Sequence, residues 1–256
     1  MPSTIAVMKI HSPMKTLSRN LTASLALALL AFSLTGCRVL DYRAVQRDFN
    51  LAVQADNAEQ PFTEPHAQIV ATLTTNYIAK LDPKLRPNAW MLRAVSAWRS
   101  GQLELARTSA EQGLHESALQ AHSRDAVILK LVPGLVVDSE LLGKWRVASN
   151  HLSAAQYAPF ASDFRTAWDQ LQSAQAEVGP PTPESVISYV HFQKWRVLED
   201  WRIVLSGLTD DTTRQSARDE AKQVLGKDLK EAADAERNAI PAGHPLREYI
   251  RARGGG

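Results

Sequence analysis

The sequence predicts an all-α fold, with helical hairpins stacked into an array. Three observations predict it. After residue 40, apolar residues recur at spacings of three and four and almost never alternate. The strong breakers, Gly101, Pro133-Gly134, Gly179-Pro180-Pro181 and Pro241, fall between the apolar stripes. The 256 residues are 45% apolar and 22% charged, a mixture that builds a sizeable core and is too apolar for disorder.

Each stripe justifies one element. Tyr42, Val45, Phe49 and Ala52 make the first; Ile69, Val70, Leu73 and Tyr77 make the second, opened by Thr63 and Pro65 and closed around Pro83. Met91, Ala94, Val95 and Trp98 follow, then Leu103, Ala106, Ala110 and Leu114 beyond Gly101. Ala126 to Val137 is almost continuously apolar and reads as two short strands or as a kinked or broken buried helix. The helix is expected, because no other strand is present to pair with a hairpin. Later stripes run through Phe160, Phe164, Trp168 and Leu171, through Ile187, Val190, Leu198, Trp201 and Leu205, and through Ala217, Ala221, Val224, Leu225, Leu229 and Ala232. Thr182 with Pro183 reads as an N-cap and first-turn pair, and Asp210-Asp211 as the start of a further helix. The expected organisation is a leader over 1–36, a short tether over 37–40, a helical body over 41–240, and a short helix and tail over 241–256.

The leader has its own signature. Lys9, Lys15 and Arg19 precede the apolar run Leu25 to Phe32, and no acidic residue occurs before residue 37. A positive segment, a short apolar segment and small residues form a secretory signal peptide, too short in its apolar part to span a bilayer. Met14 or Met8 is the expected initiator, since Met14 to Arg19 itself makes a standard start. Without residues 1–36 the body carries 26 basic against 27 acidic residues and is close to neutral. No global field then recruits nucleic acid or an acidic substrate.

Leu34-Thr35-Gly36-Cys37 resembles the lipobox of bacterial lipoproteins, and Cys37 is the only cysteine in the chain. The resemblance implies that Cys37 receives diacylglycerol, that the leader is removed before it, and that the new amine is acylated, for example with palmitate. Two or three chains hold a soluble body firmly at a bilayer, at about 0.8 kcal/mol per buried methylene. Arg38 follows, where the enteric inner-membrane retention signal is an aspartate, which implies sorting to the outer membrane with the body in the periplasm. The alternative reading of Cys37 is a lone buried cysteine.

Residues 87–119 resemble one tetratricopeptide repeat (TPR), the family of stacked helix pairs about 34 residues long. Trp90, Ala94, Gly101, Ala106 and Gly113-Leu114 fall at matching positions, whereas Arg93, Ala97, Ala110 and Ala118 depart from the pattern. The resemblance implies a TPR-like α-solenoid whose concave-face positions here are Asn88, Met91, Val95, Trp98 and Arg99. It implies a scaffold holding a protein or peptide partner in envelope assembly, secretion or transport. Met91, Val95 and Trp98 read equally as core between neighbouring helices. Trp-Arg also recurs, at 98–99, 145–146, 195–196 and 201–202, with Lys-Trp-Arg-Val at 144–147 and 194–197. On a helix each Arg lies about 100° from its Trp, so buried tryptophans would leave a row of arginines available to an acidic partner.

Signatures of chemistry are absent from the sequence: no HExxH, GxSxG, phosphate loop or GxGxxG occurs, and the single cysteine excludes a cysteine-rich zinc site. His115 and His122 are seven apart, His151 and His191 stand alone, and Glu199-Asp200 are expected to point to different sides of a helix. The expectation is a non-enzymatic chain with no cofactor or metal. Two alternatives stay open. A closed pocket of roughly 300–1,000 Å³ lined with tryptophans, rather than an open groove, would favour a small-ligand-binding lipoprotein associated with solute uptake. A cleft joining two carboxylates, one of them desolvated, would favour an envelope enzyme with a helical body.

Overall fold

A computed structural model describes residues 41–55, 63–148 and 152–252. The leader with Leu34 to Cys37, the tether, His151 and the tail from Arg253 lie outside the described residues. Eleven α-helices occur among those described, with no strand; the only β feature is the isolated bridge between Leu152 and Leu208. They are α1 (41–55), α2 (Thr63–Thr72), α3 (Thr75–Ala79), α4 (Arg86–Arg99), α5 (Leu103–Leu114), α6 (Arg124–Val147), α7 (Ala154–Ala176), α8 (Glu184–Ser206), α9 (Asp211–Leu225), α10 (Leu229–Ala239) and α11 (Pro245–Ala252). The chain divides into two compact units within α1, between Arg47 and Asp48, and α2 to α11 all belong to the second.

The fold is an all-α array in which neighbours in sequence pack on one another: α4 on α5, α5 on α6, α6 on α7 and α7 on α8, with α10 returning onto α8. The α4–α5 hairpin turns through Ser100 to Gln102, where Gly101 takes φ +78°, a conformation costly for any residue with a Cβ. Ala94, Ala97, Ala106 and Ala110 have no exposed surface, so small side chains let the two helices approach. Gly113 allows an even closer contact, because a Cβ there would lie 2.9 Å from Cβ of Trp90 and 2.7 Å from Leu129.

Three expectations are corrected. The buried helix expected over Ala126 to Val137 is present, but Pro133-Gly134 does not break it: α6 is one helix of 24 residues with Pro133 inside it. Proline costs a helix roughly 3 kcal/mol, but Val127, Leu129, Leu131, Val132 and Val136 are all fully buried, and helices pack around them. Gly134 is a contact glycine, with Leu171 of α7 where a Cβ would be, at 2.9 Å. Next, the stripe from Ile69 to Tyr77 is two helices, because Thr74 adopts an extended backbone and its hydroxyl accepts from Tyr77 N–H, starting α3 afresh. Lastly, Pro183 itself is the N-cap of α8. Thr182 instead donates its hydroxyl to the His122 carbonyl at 2.6 Å and accepts from Gly179 N–H, tying this loop to the start of α6.

The repeated Lys-Trp-Arg-Val does not mark a structural repeat. Lys144 is exposed near the end of α6 and pairs with Asp163 at 2.7 Å, whereas Lys194 is 2% exposed in the middle of α8. Asp210 does start α9, its carboxylate accepting from Thr213 N–H at 2.6 Å.

Candidate partner-binding cleft

The C-terminal end of α4, the middle of α6, one face of α8, and parts of α10 and α11 enclose an open cleft of about 750 Å³. From α4 come Trp98 and Arg99; from α6, Ser139 and Leu142; from α10, Lys230, Asp234 and Arg237; from α11, Tyr249. α8 supplies Phe192, Trp195, Arg196, Glu199, Asp200, Arg202 and Ile203, mostly at the i, i+3, i+4, i+7 spacing of one helix face.

Trp98 is the hinge of the polar half. Its indole N–H donates to the Ser139 hydroxyl at 2.9 Å, and that hydroxyl in turn donates to the Leu135 carbonyl at 2.9 Å. The Arg99 guanidinium lies over the indole at 4.5 Å and Arg196 at 5.8 Å, so one ring gathers two cations. Phe192 makes the aromatic half, with Trp195 at 5.9 Å and Tyr249 edge-on at 5.8 Å between centroids.

Charge is arranged unequally. Arg196 donates to Asp138, which has no exposed surface, at 2.5 Å. Arg202 and Arg237 pair within their own helices, with Glu199 at 2.6 Å and Asp234 at 3.0 Å. Asp200 has no hydrogen bond or ion pair among the described residues. Burial pushes its carboxyl up to about 7; Asp138 adds to the rise, Arg196 opposes it and Glu199 adds further. Glu199 and Asp200 thus line the same cleft rather than different sides of the helix, because the cleft is wide enough to span both positions. Asp200 can exchange a proton near neutral pH, and with Glu199 it forms the carboxylate pair, one member desolvated, that the envelope-enzyme alternative calls for. Among the lining residues Ser139 is already committed as donor and acceptor, and Glu199 to Arg202. No group of three or more His, Cys, Asp or Glu among the described residues is placed to hold a metal ion.

Of the five residues singled out on α4, the cleft brings together two, Trp98 and Arg99. Asn88 is buried, with its amide donating to Asp125 at 3.0 Å; Met91 is 3% exposed in the core; Val95 is half-buried. Phe192, Lys230, Arg237 and Tyr249 were not singled out by their sequence, whereas Trp195-Arg196 entered there only as a recurring Trp-Arg pair and Asp200 only as the neighbour of Glu199. A signal was present in α8, whose 192–203 face mixes aromatic with charged residues and is neither a clean core stripe nor a clean solvent face.

Comparison with known protein families, curated proteins and solved structures returns no match. Among the described residues no helix is long and apolar enough to cross a membrane.

Proposed function

We propose that this chain is a lipid-anchored helical scaffold of the bacterial envelope, held at the outer membrane through Cys37 and facing the periplasm. Its cleft holds a protein or peptide partner, in the service of envelope assembly, secretion or transport. The observation that carries the binding role is convergence: Trp98-Arg99, Trp195-Arg196 and Arg202 of a third Trp-Arg pair reach one cleft from two helices far apart in sequence. The anchor rests on the lipobox-like sequence alone. The packing of α4 on α5 as a helical hairpin supports the scaffold role and leaves any likeness to the repeat family as part of the proposal.

Two experiments test this. Cys37→Ser should release the chain from envelope lipid; a product of mature size still fractionating with membrane would refute the anchor. Arg99→Glu should weaken recovery of a crosslinked partner with the thermal midpoint unchanged, whereas loss of both together assigns Arg99 to structure. A small-ligand role calls for a closed pocket, and this cleft is open, although Trp98 and Trp195 stand in its wall.

A further inference from the structure

Five cations reach the cleft, Arg99, Arg196, Arg202, Lys230 and Arg237, against three carboxylates, Glu199, Asp200 and Asp234. Arg196 is committed to buried Asp138. The Arg202–Glu199 and Arg237–Asp234 pairs are i, i+3 pairs with solvent access, a kind that holds its partners loosely. Lys230 is exposed and makes no ion pair among the described residues. Arg99 is held over the Trp98 ring, which orders its fork before any ligand arrives.

A carboxylate-bearing ligand would exchange these loose pairings for charge-assisted hydrogen bonds in a partly desolvated cleft. The other wall, Phe192, Trp195 and Tyr249, offers apolar surface to side chains between the carboxylates. We propose that the cleft docks an acidic segment of a partner protein, its carboxylates on Arg99, Lys230 and Arg237 and its apolar side chains against Phe192, Trp195 and Tyr249. This rests on the partner-binding reading above and names the partner's chemistry.

Protons enter through Asp200. The groups acting on its carboxyl are Asp138 from α6 and Arg196 and Glu199 on its own helix. The other charged or titratable groups lining the cleft are Arg99 from α4, Arg202 on its own helix, Lys230, Asp234 and Arg237 from α10, and Tyr249 from α11. With its carboxyl raised to about 7, acidification from pH 8 to 6 removes one negative charge from the cleft. An acidic ligand therefore binds more tightly at the lower pH, by roughly three- to tenfold for one screened charge at cleft distances. His191, paired with Glu236 at 2.7 Å, is a second ionisable group on α8, so Asp200→Asn is needed to isolate the effect.

The test is fluorescence anisotropy on the detergent-solubilised full chain, with three labelled peptides of equal length: penta-glutamate, penta-lysine and penta-serine, each ending in phenylalanine. The glutamate peptide should bind at least tenfold more tightly than the others, weaken about tenfold in Arg99→Glu and in surface-exposed Lys230→Glu, and lose affinity with added salt. Its pH dependence should flatten in Asp200→Asn. Equal binding of the three peptides, a preference for lysine or serine, or indifference to both charge reversals would overturn the proposal. A photocrosslinker at exposed Ile203 in cells keeps the two readings apart. A mapped partner segment that is neutral or basic overturns the acidic segment alone, whereas no adduct at all overturns partner binding in the cleft.

Discussion

Nη2 of Arg196 stands 2.5 Å from Oδ2 of Asp138, joining α8 to an aspartate of α6 that no solvent reaches. Oδ1 of the same carboxylate and Nε of Arg196 have no partner of their own, so the pair is incompletely satisfied and depends on its one short bond. Burial works against the Arg196 charge; Asp138 and then Asp200 overcome it and raise its pKa. Arg196→Met strands a buried charge and should cost about 3–5 kcal/mol in urea unfolding. Adding Asp138→Leu removes that charge as well and should recover at least half of the loss. A double variant as unstable as the single one would show that the pair does not act as a unit.

Asp200 makes the opposite kind of prediction. Its folded-state pKa, about 7, lies above the ordinary aspartate value, so between roughly pH 4 and 7 the folded state binds more protons than the unfolded state. Stability from this group therefore falls as pH rises through that window and stays low above it. Asp200→Asn should be on the order of 2–4 kcal/mol more stable than the parent at pH 8, with the gap closing towards pH 4. Thermal unfolding at four pH values measures it; a gap independent of pH would mean that Asp200 titrates normally.

The elements whose signals are local were legible in the sequence. Gly101 at a positive φ, Asp210 capping α9 and the apolar spacing on α4, α5, α7 and α8 each declare themselves within one or two turns. Pro133-Gly134 misled because the same two residues serve as a breaker in solvent and as a packing device in a core. Only the position of Leu171 on another helix decides between them. The cleft was half legible. Trp98 and Arg99 followed from the hairpin, but the groups that complete it, from Ser139 to Tyr249, are brought together by the return of α10 and α11 onto α8. Spacing within one helix carries no information about that return.

Two helical glycines should respond in opposite directions to the same substitution. Gly113→Ala gains helix propensity of about 1 kcal/mol but places a Cβ 2.9 Å from Cβ of Trp90, which cannot swing aside as a side-chain tip could. A net loss of about 1–2 kcal/mol is expected. Gly143, exposed on α6, has nothing within 4 Å of such a Cβ, and Gly143→Ala should gain about 0.4–1 kcal/mol. Urea midpoints decide it, and a stabilised Gly113→Ala would mean that α5 is free to move away from α4 and α6.

Lys194 is a buried amine, 2% exposed. It reaches Glu236 of α10 at 2.5 Å, Gln172 at 3.2 Å and Gln175, and lies 4.6 Å from the centre of the Trp168 ring. Burial lowers its pKa and Glu236 opposes the fall. For Glu236, burial alone would raise the carboxyl. The hydrogen bonds from His191 and Lys194 outweigh that and hold it below its usual range. A depressed carboxylate contributes stability that is complete above its unfolded value near 4.5 and is lost as pH falls through the folded one. Glu236→Gln should therefore cost about 2–4 kcal/mol at pH 7, where Lys194 is left without its counter-charge, and the difference should shrink at pH 3. Lys194→Met in the Glu236→Gln background removes the stranded amine and should restore most of the loss, since methionine fills much the same volume against Trp168. If instead Glu236→Gln proves neutral at pH 7, α10 is held to α8 by its apolar contacts, Trp195, Leu198, Ala232 and Ala233, and the buried ion pair adds nothing to them.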